Sequence, residues 1–173
     1  MNSNKLGKRI MIIGSCGSGK TTLAMQLNKK TTLPIIHLDK EYWQAGWVET
    51  PKELWIEKQR KLLLGDCWIV DGNYSGSFDI RLEKTDTVIF LDYNRYLCLY
   101  RVLRRWISNI GKVRVDMADG CFEKIDLPFI KFVWRFPIDS RNKIINKLKE
   151  YNSVNVIRFR KPKETKRFLS SIN

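Results

Sequence analysis

The sequence predicts an α/β chain, with five parallel strands in one sheet and helices on both of its faces. Two observations carry this. Short β-branched or aromatic runs alternate with longer segments of helical periodicity, which is the pattern of right-handed βαβ units. A glycine-rich stretch, Gly14-Ser15-Cys16-Gly17-Ser18-Gly19-Lys20-Thr21, stands between the first such run and the first helix-like segment. The 173 residues, 43% of them hydrophobic and 29% charged, suit one domain that removes roughly 70% of its unfolded surface from water.

Residues 9–13 form the first strand, Arg-Ile-Met-Ile-Ile, stopped by Gly14. Residues 21–30 follow as a helix with Leu23, Ala24 and Leu27 at helical spacing. Residues 33–39 make a second strand closed by charge. The helix over 51–64 has Pro51 in its first turn, where a missing N–H breaks no helical bond. Its apolar positions are Leu54, Trp55, Leu62 and Leu63. Residues 67–70 are the third strand, stopped by Asp71-Gly72. Residues 87–91, between Asp86 and Asp92, are the cleanest strand. Residues 96–107 form a helix with Leu99, Val102 and Leu103 inward. Residues 154–159 are the fifth strand and 164–169 a closing helix. No repeat and no Gly/Ser linker interrupts the order, so residues 1–173 read as one domain.

Composition narrows the function classes. Thirty-two Lys and Arg against 18 Asp and Glu give a formal charge of +14, which favours polyanionic partners. No stretch approaches the ~18 apolar residues of a membrane span, and the apolar run at 10–13 is too short for a signal-peptide core. Cys16, Cys67, Cys98 and Cys121 lack metal-finger spacing and read as reduced thiols of a cytoplasmic protein.

The glycine-rich stretch fits G-x-x-x-x-G-K-[ST] in the setting that gives this motif meaning, a strand before it and a helix after. Gly14, Ser15, Cys16, Gly17, Ser18 and Gly19 let consecutive amides converge on phosphate oxygens. The helix that follows, through Lys20, Thr21 and Thr22, points its positive end at the same place. Lys20 can reach the β/γ-phosphates and the Thr21 hydroxyl can ligate Mg²⁺. The expected ligand is ATP with Mg²⁺, because no Asn-Lys-x-Asp reads guanine. Asp92 is followed by Tyr93 rather than by the glutamate of ATPase motors, and no LSGGQ-like signature occurs.

Arg101 and Arg105, four apart on one helix, share a face and can neutralise a transferring phosphoryl group in cis. Asp39, Asp71 and Asp92 end strands on the carboxyl edge of the sheet, where open α/β folds bind ligands. Asp71 is the first choice to hold Mg²⁺ from its outer shell. Asp39 suits orienting or deprotonating an acceptor hydroxyl, or simply capping a turn. His37 lies on the same side of its strand as Asp39. The tryptophans Trp43, Trp47 and Trp55 suit either stacking on a ring or packing of a helical flap.

The phosphate loop, Asp71-Gly72 and Arg101-x-x-x-Arg105 resemble the nucleoside monophosphate kinase superfamily, adenylate kinase included. The chain as a whole looks like the DNA topology modulation protein family of adenylate-kinase-related P-loop NTPases. The likeness is carried by His37-Leu38-Asp39 with Trp43 and Gly46-Trp47, by 68–74 (Trp-Ile-Val-Asp-Gly-Asn-Tyr) and by 86–92. Arg101-Val102-Leu103-Arg104-Arg105 and 116–123 (Asp-Met-Ala-Asp-Gly-Cys-Phe-Glu) complete it. It implies a three-layer P-loop sandwich, an acceptor-binding helical insertion over about 38–65 and a mobile lid over about 107–137. It implies that Asp71 holds Mg²⁺ through water, that Arg101 and Arg105 contact nucleotide phosphates where the lid begins, and that the backbone at Arg160-Lys161-Pro162 touches adenine. Adenylate kinase follows Asp-Gly with Phe-Pro-Arg; here Asn73, Tyr74 and Ser75 stand instead, and Arg81 is the nearest basic residue.

Two functions follow as alternatives, beside the blander ones of nucleotide binding without chemistry and plain NTP hydrolysis. One is a kinase passing the ATP γ-phosphoryl group to a small nucleotide- or nucleoside-like acceptor near Asp39, Trp43, Asn73 and Arg81. The other is a regulatory ATP-binding protein that holds DNA through its basic surface. Residues 93–115 contain no acid but carry Arg95, Arg101, Arg104, Arg105, Lys112 and Arg114, with Tyr100 and Trp106 available for stacking.

Overall fold

The computed structural model describes residues 6–172, so the first part of the polar, basic start of the chain, residues 1–5, lies outside the described residues. In chain order the elements are β1 (Arg9–Gly14), α1 (Lys20–Thr31), β2 (Ile35–His37), α2 (Leu38–Tyr42), β3 (Trp43–Gln44), β4 (Val48–Glu49), α3 (Lys52–Leu62) and β5 (Trp68–Asp71). There follow α4 (Phe78–Leu82), β6 (Thr87–Leu91), α5 (Arg95–Ser108), α6 (Leu127–Asp139), α7 (Arg141–Glu150), β7 (Asn155–Phe159) and α8 (Pro162–Ser170).

The five expected strands form one parallel sheet in the order β2-β5-β1-β6-β7. Strand β1 is central. Its alternating side chains divide the core, as a period of two requires. Ile10 and Ile12 pack with Leu23, Ala24 and Leu27 of α1, Cys98 and Val102 of α5, and Phe168 of α8. Met11 and Ile13 pack with Trp55 of α3, Phe78 and Leu82 of α4, Phe136 of α6 and Leu148 of α7. The result is the three-layer sandwich, and both faces of β1 are fully buried from Ile10 to Ile13. After β1 the chain moves toward one edge of the sheet, to β2, and after β6 toward the other, to β7. This places the topological switch point at the carboxyl ends of those two strands.

The strand at 87–91 has the expected bounds, and β1, α1, α3, β5, α5, β7 and α8 lie within about two residues of theirs. The expected strand at 33–39 is shorter. It ends at His37, and Asp39 and Glu41 fall in the first turn of α2, where carboxylates favour helix. Asp39 is therefore a helix residue rather than a strand neighbour of His37. Helices α4, α6 and α7 and the β3–β4 hairpin extend the expected set. Helix α6 lies within the region read as a lid, yet it buries Val133 and Phe136 and packs on α5 and α7. Its start is fixed by the Asp126 carboxylate, which accepts from the Phe129 amide at 2.8 Å. What lies between α5 and α6, residues 109–126, is loop with isolated bridges.

Asp92, just past β6, is buried and takes two guanidinium groups, Arg141 of α7 at 2.8 Å and Arg158 of β7. A carboxylate removed from water needs such partners. It therefore ties three elements together and takes no part in the cavity described next. Among the described residues no helix is long and apolar enough to cross a membrane, and all four cysteines are free thiols.

Candidate functional site

A cavity of about 840 Å³ opens at the switch point. The phosphate loop, Cys16 to Thr22, forms its floor, α5 and the 109–126 loop one wall, and Asp39, Asp71 and Gly72 another. Pro162, Thr165 and Lys166 of α8 close the remaining side.

The loop's shape follows from its glycines. A Cβ on Gly17 would lie 2.2 Å from the Cys98 carbonyl oxygen, so α5 rests directly on the loop. Gly19 has φ 96, a left-handed conformation natural to glycine, with only Arg101 near the space a Cβ would fill, at 3.7 Å. Gly19 is also the N-cap of α1. No side chain caps this helix and no acid occupies its first turn. The first-turn amides of Lys20, Thr21 and Thr22 therefore have no intrahelical acceptor. An uncapped helix start that faces a cavity matches a phosphate group.

Lys20 Nζ donates to the carbonyls of Gly14 and Ser15 at 3.0 and 3.1 Å, folded over the loop it belongs to. Arg101 Nη1 donates to the Ser18 carbonyl at 3.2 Å and its guanidinium lies over the Tyr93 ring. Arg105 pairs with Glu123 at 2.9 Å. Both expected arginines thus line the cavity, while Arg104 of the same helix is exposed.

The 109–126 loop adds Arg114, read from the sequence only as part of a basic surface, and Asp116 and Glu123, which had no role. Arg114 pairs with Glu123 at 2.8 Å and with Asp116 at 3.4 Å. Asp116 Oδ2 accepts from the Thr21 hydroxyl at 2.9 Å. A carboxylate oxygen thus sits on the hydroxyl assigned to Mg²⁺. Thr21, with Asp71 across the floor, fits a cation that completes its shell with phosphate and water oxygens. The signal in the sequence was the first acids after a basic run, Asp116, Asp119 and Glu123, all in a segment without periodicity.

Asp71 is 4% exposed and accepts from His37 Nδ1 at 2.9 Å when the ring is protonated there. Burial opposes charging His37, but its hydrogen bond and attraction to Asp71, with Asp116 adding, raise its pKa above the ordinary 6.5. Burial also raises the pKa of Asp39, against the hydrogen bond from Tyr74 and the charge of Lys20. The Tyr74 hydroxyl donates to Asp39 Oδ1 at 2.7 Å.

Of the expected loop residues, Gly14 and Ser15 do not line the cavity, and four further expected site residues lie elsewhere. Arg81 has no exposed surface. It donates to Gln59 Oε1 at 2.7 Å, to Ser77 Oγ at 2.9 Å and to the carbonyls of Asn73 and Tyr74, so no face of it meets the cavity. Asn73 turns its amide to the phosphate loop, accepting from Gly14 N–H at 3.1 Å and donating to the Gly14 carbonyl at 2.8 Å. Trp43 stacks edge-on with Tyr42 and Trp47, which is the packing alternative for these tryptophans. The exposed Arg160 gives its amide to Glu164 Oε2 at 2.7 Å, at the start of α8. A second cavity of about 400 Å³ is lined by Tyr42, Lys52, Trp55 and Tyr74 among others.

No family model matches the chain and no curated protein matches it. Solved structures match it in fold. A candidate kinase from Chloroflexus aurantiacus J-10-fl superposes with a TM-score of 0.54 at 13% identity, over 96% of both chains. Shikimate kinase from Aquifex aeolicus VF5 does so with a TM-score of 0.54 at 19% identity, over 94% of both chains. At such identities the likeness establishes the α/β fold with its five-stranded parallel sheet, a fold that these kinases share.

Proposed function

We propose that the chain is an ATP-dependent kinase that passes the γ-phosphoryl group to a small acceptor held on the Asp39 side of the cavity. The observation that carries this reading is the uncapped start of α1, whose own first turn carries Lys20 and no acid, in one cavity with Arg101, Arg105 and Arg114. A triphosphate would accept from the free first-turn amides, and the arginines would neutralise charge as it shifts toward the leaving group. Mg²⁺, when bound, draws electron density from the phosphate oxygens; Thr21 would hold it directly and Asp71 through water, as in the adenylate kinase resemblance. Asp39 orients the acceptor and takes its proton, and Tyr74 holds Asp39 for that task.

Lys20→Ala tests the reading. ATP turnover is expected to fall by about 10²–10³-fold, with the far-UV spectrum unchanged. Turnover equal to that of the unaltered chain would remove the assignment.

The regulatory DNA-binding alternative, and with it the likeness to DNA topology modulation proteins, draws on the exposed basic residues Arg160, Lys161, Lys163, Lys166 and Arg167 around α8. Against it, Arg101, Arg105 and Arg114 of the acid-free run line the cavity, and Arg95 stacks on Trp134 at 5.0 Å. The kinase reading uses more of what the fold brings together.

A further inference from the structure

The Lys20 ammonium rests on two backbone carbonyls, Gly14 at 3.0 Å and Ser15 at 3.1 Å. To meet the phosphates of a nucleotide it must leave both oxygens. Gly14 and Ser15 are buried and neither lines the cavity, so cavity water does not replace a donor lost there. A buried carbonyl left without a partner is costly.

Each of the two carbonyls has a second donor. For Ser15 it is the Ser18 amide at 3.1 Å, a turn within the loop itself. For Gly14 it comes from outside the loop, from Asn73 Nδ2 at 2.8 Å. The same side chain accepts from the Gly14 N–H through Oδ1 at 3.1 Å. One carboxamide thus meets both backbone groups of Gly14, which takes a donor and an acceptor side by side. Asn73 is held in turn from behind. Its carbonyl accepts from the buried Arg81 guanidinium, and the Gly72 amide before it donates to the Ile12 carbonyl of β1 at 3.4 Å. None of these holds passes through Lys20.

We propose that Asn73 is a positioning residue for Lys20: by keeping the Gly14 carbonyl paired, it lets the ammonium leave the loop for the phosphates of a bound nucleotide. This rests on the nucleotide site of the kinase reading. It gives Asn73 a part in binding the donor, whereas the sequence suggests a place beside the acceptor. In a chain without the Asn73 carboxamide, nucleotide binding takes from the Gly14 carbonyl the side-chain donor it has left. The cost falls on nucleotide affinity, and only in a chain that has Lys20 to release.

The test is a double-mutant cycle on the full chain, read by titration calorimetry with a non-hydrolysable ATP analogue and Mg²⁺. With Lys20 present, Asn73→Ala is expected to weaken analogue binding about 10-fold. In a Lys20→Ala background the same substitution is expected to weaken it by less than about twofold. A merely structural loosening of the loop weakens binding by the same factor in both backgrounds, and that result overturns the proposal. Undiminished binding by the Asn73→Ala chain overturns it as well. If Asn73→Ala does not fold, Asn73→Ser is carried through the same cycle with the same outcomes. Failure of the unaltered chain to bind the analogue removes the kinase reading, and the role of Asn73 with it. Equal losses in a chain that binds the analogue remove the role of Asn73 alone.

Discussion

At Arg81 a guanidinium without exposed surface gathers Gln59, Ser77 and the carbonyls of Asn73 and Tyr74. Burial lowers its pKa to about 9, so it stays charged at neutral pH. Tyr74 has φ 36, a left-handed backbone that a bulky residue enters only under constraint. Arg81 supplies that constraint, and through it the Tyr74–Asp39 bond. Arg81→Met is expected to cost about 3 kcal/mol of stability, read as a Tm lowered by several degrees. A guanidinium that gripped a phosphate would instead change KM and leave Tm alone. His37 gives a second residue-scale expectation. Its folded pKa is raised, so its stabilising contribution is complete below the unfolded value near 6.5. That contribution is lost as pH rises through the higher folded value. His37→Asn should flatten unfolding free energy against pH in that window, and an unchanged profile would contradict the His37–Asp71 pairing. The sequence marked Asp39, Asp71, Lys20 and Thr21 through strand ends and spacing. It could not mark that Arg81 and Asn73 face inward, because only tertiary packing decides which way a polar side chain of a one-turn helix or a loop turns.

Among the elements, the strands and the helices around them were legible because each buries one periodic face. Leu23, Ala24 and Leu27 on α1 are an example. Helix α6 was hidden by Pro128 and Pro137 and by aromatic residues on several sides, which blur a 3.6-residue period. The 109–126 loop was hidden for a different reason. Its order comes from ion pairs of Arg114 with Asp116 and Glu123, which no periodicity announces. Its placement leads to a further expectation. Asp116 holds the Thr21 hydroxyl that the cation of a bound nucleotide would need, so nucleotide binding has to break that bond. Asp116→Ala is therefore expected to tighten binding of an ATP analogue several-fold, roughly 1 kcal/mol, by removing a bond that binding must break. Titration calorimetry would decide it, and weaker binding would mean that Asp116 helps to hold the nucleotide complex.

On the scale of the molecule, the formal charge of +14 is divided. Part faces the cavity or is paired with carboxylates, as Arg141 and Arg158 are with Asp92. Part remains exposed around α8. The exposed part is expected to hold duplex DNA only weakly and without sequence preference, with affinity falling steeply as salt rises. A fluorescence titration at two salt concentrations checks this, and tight binding that survives high salt would favour the DNA reading. The β3–β4 hairpin and the 109–126 loop also meet. The Gly46 amide donates to the Gly120 carbonyl at 3.2 Å, Trp47 Nε1 to the Phe122 carbonyl at 3.0 Å, and Lys124 lies over the Trp47 ring at 4.9 Å. On the kinase reading these contacts clasp the covers of the donor and acceptor sides together, and opening one is expected to disturb the other. A thermodynamic cycle then requires each guest to alter the other's hold by the same factor, and the indole of Trp47, seated in the clasp, would glow differently as either one arrives.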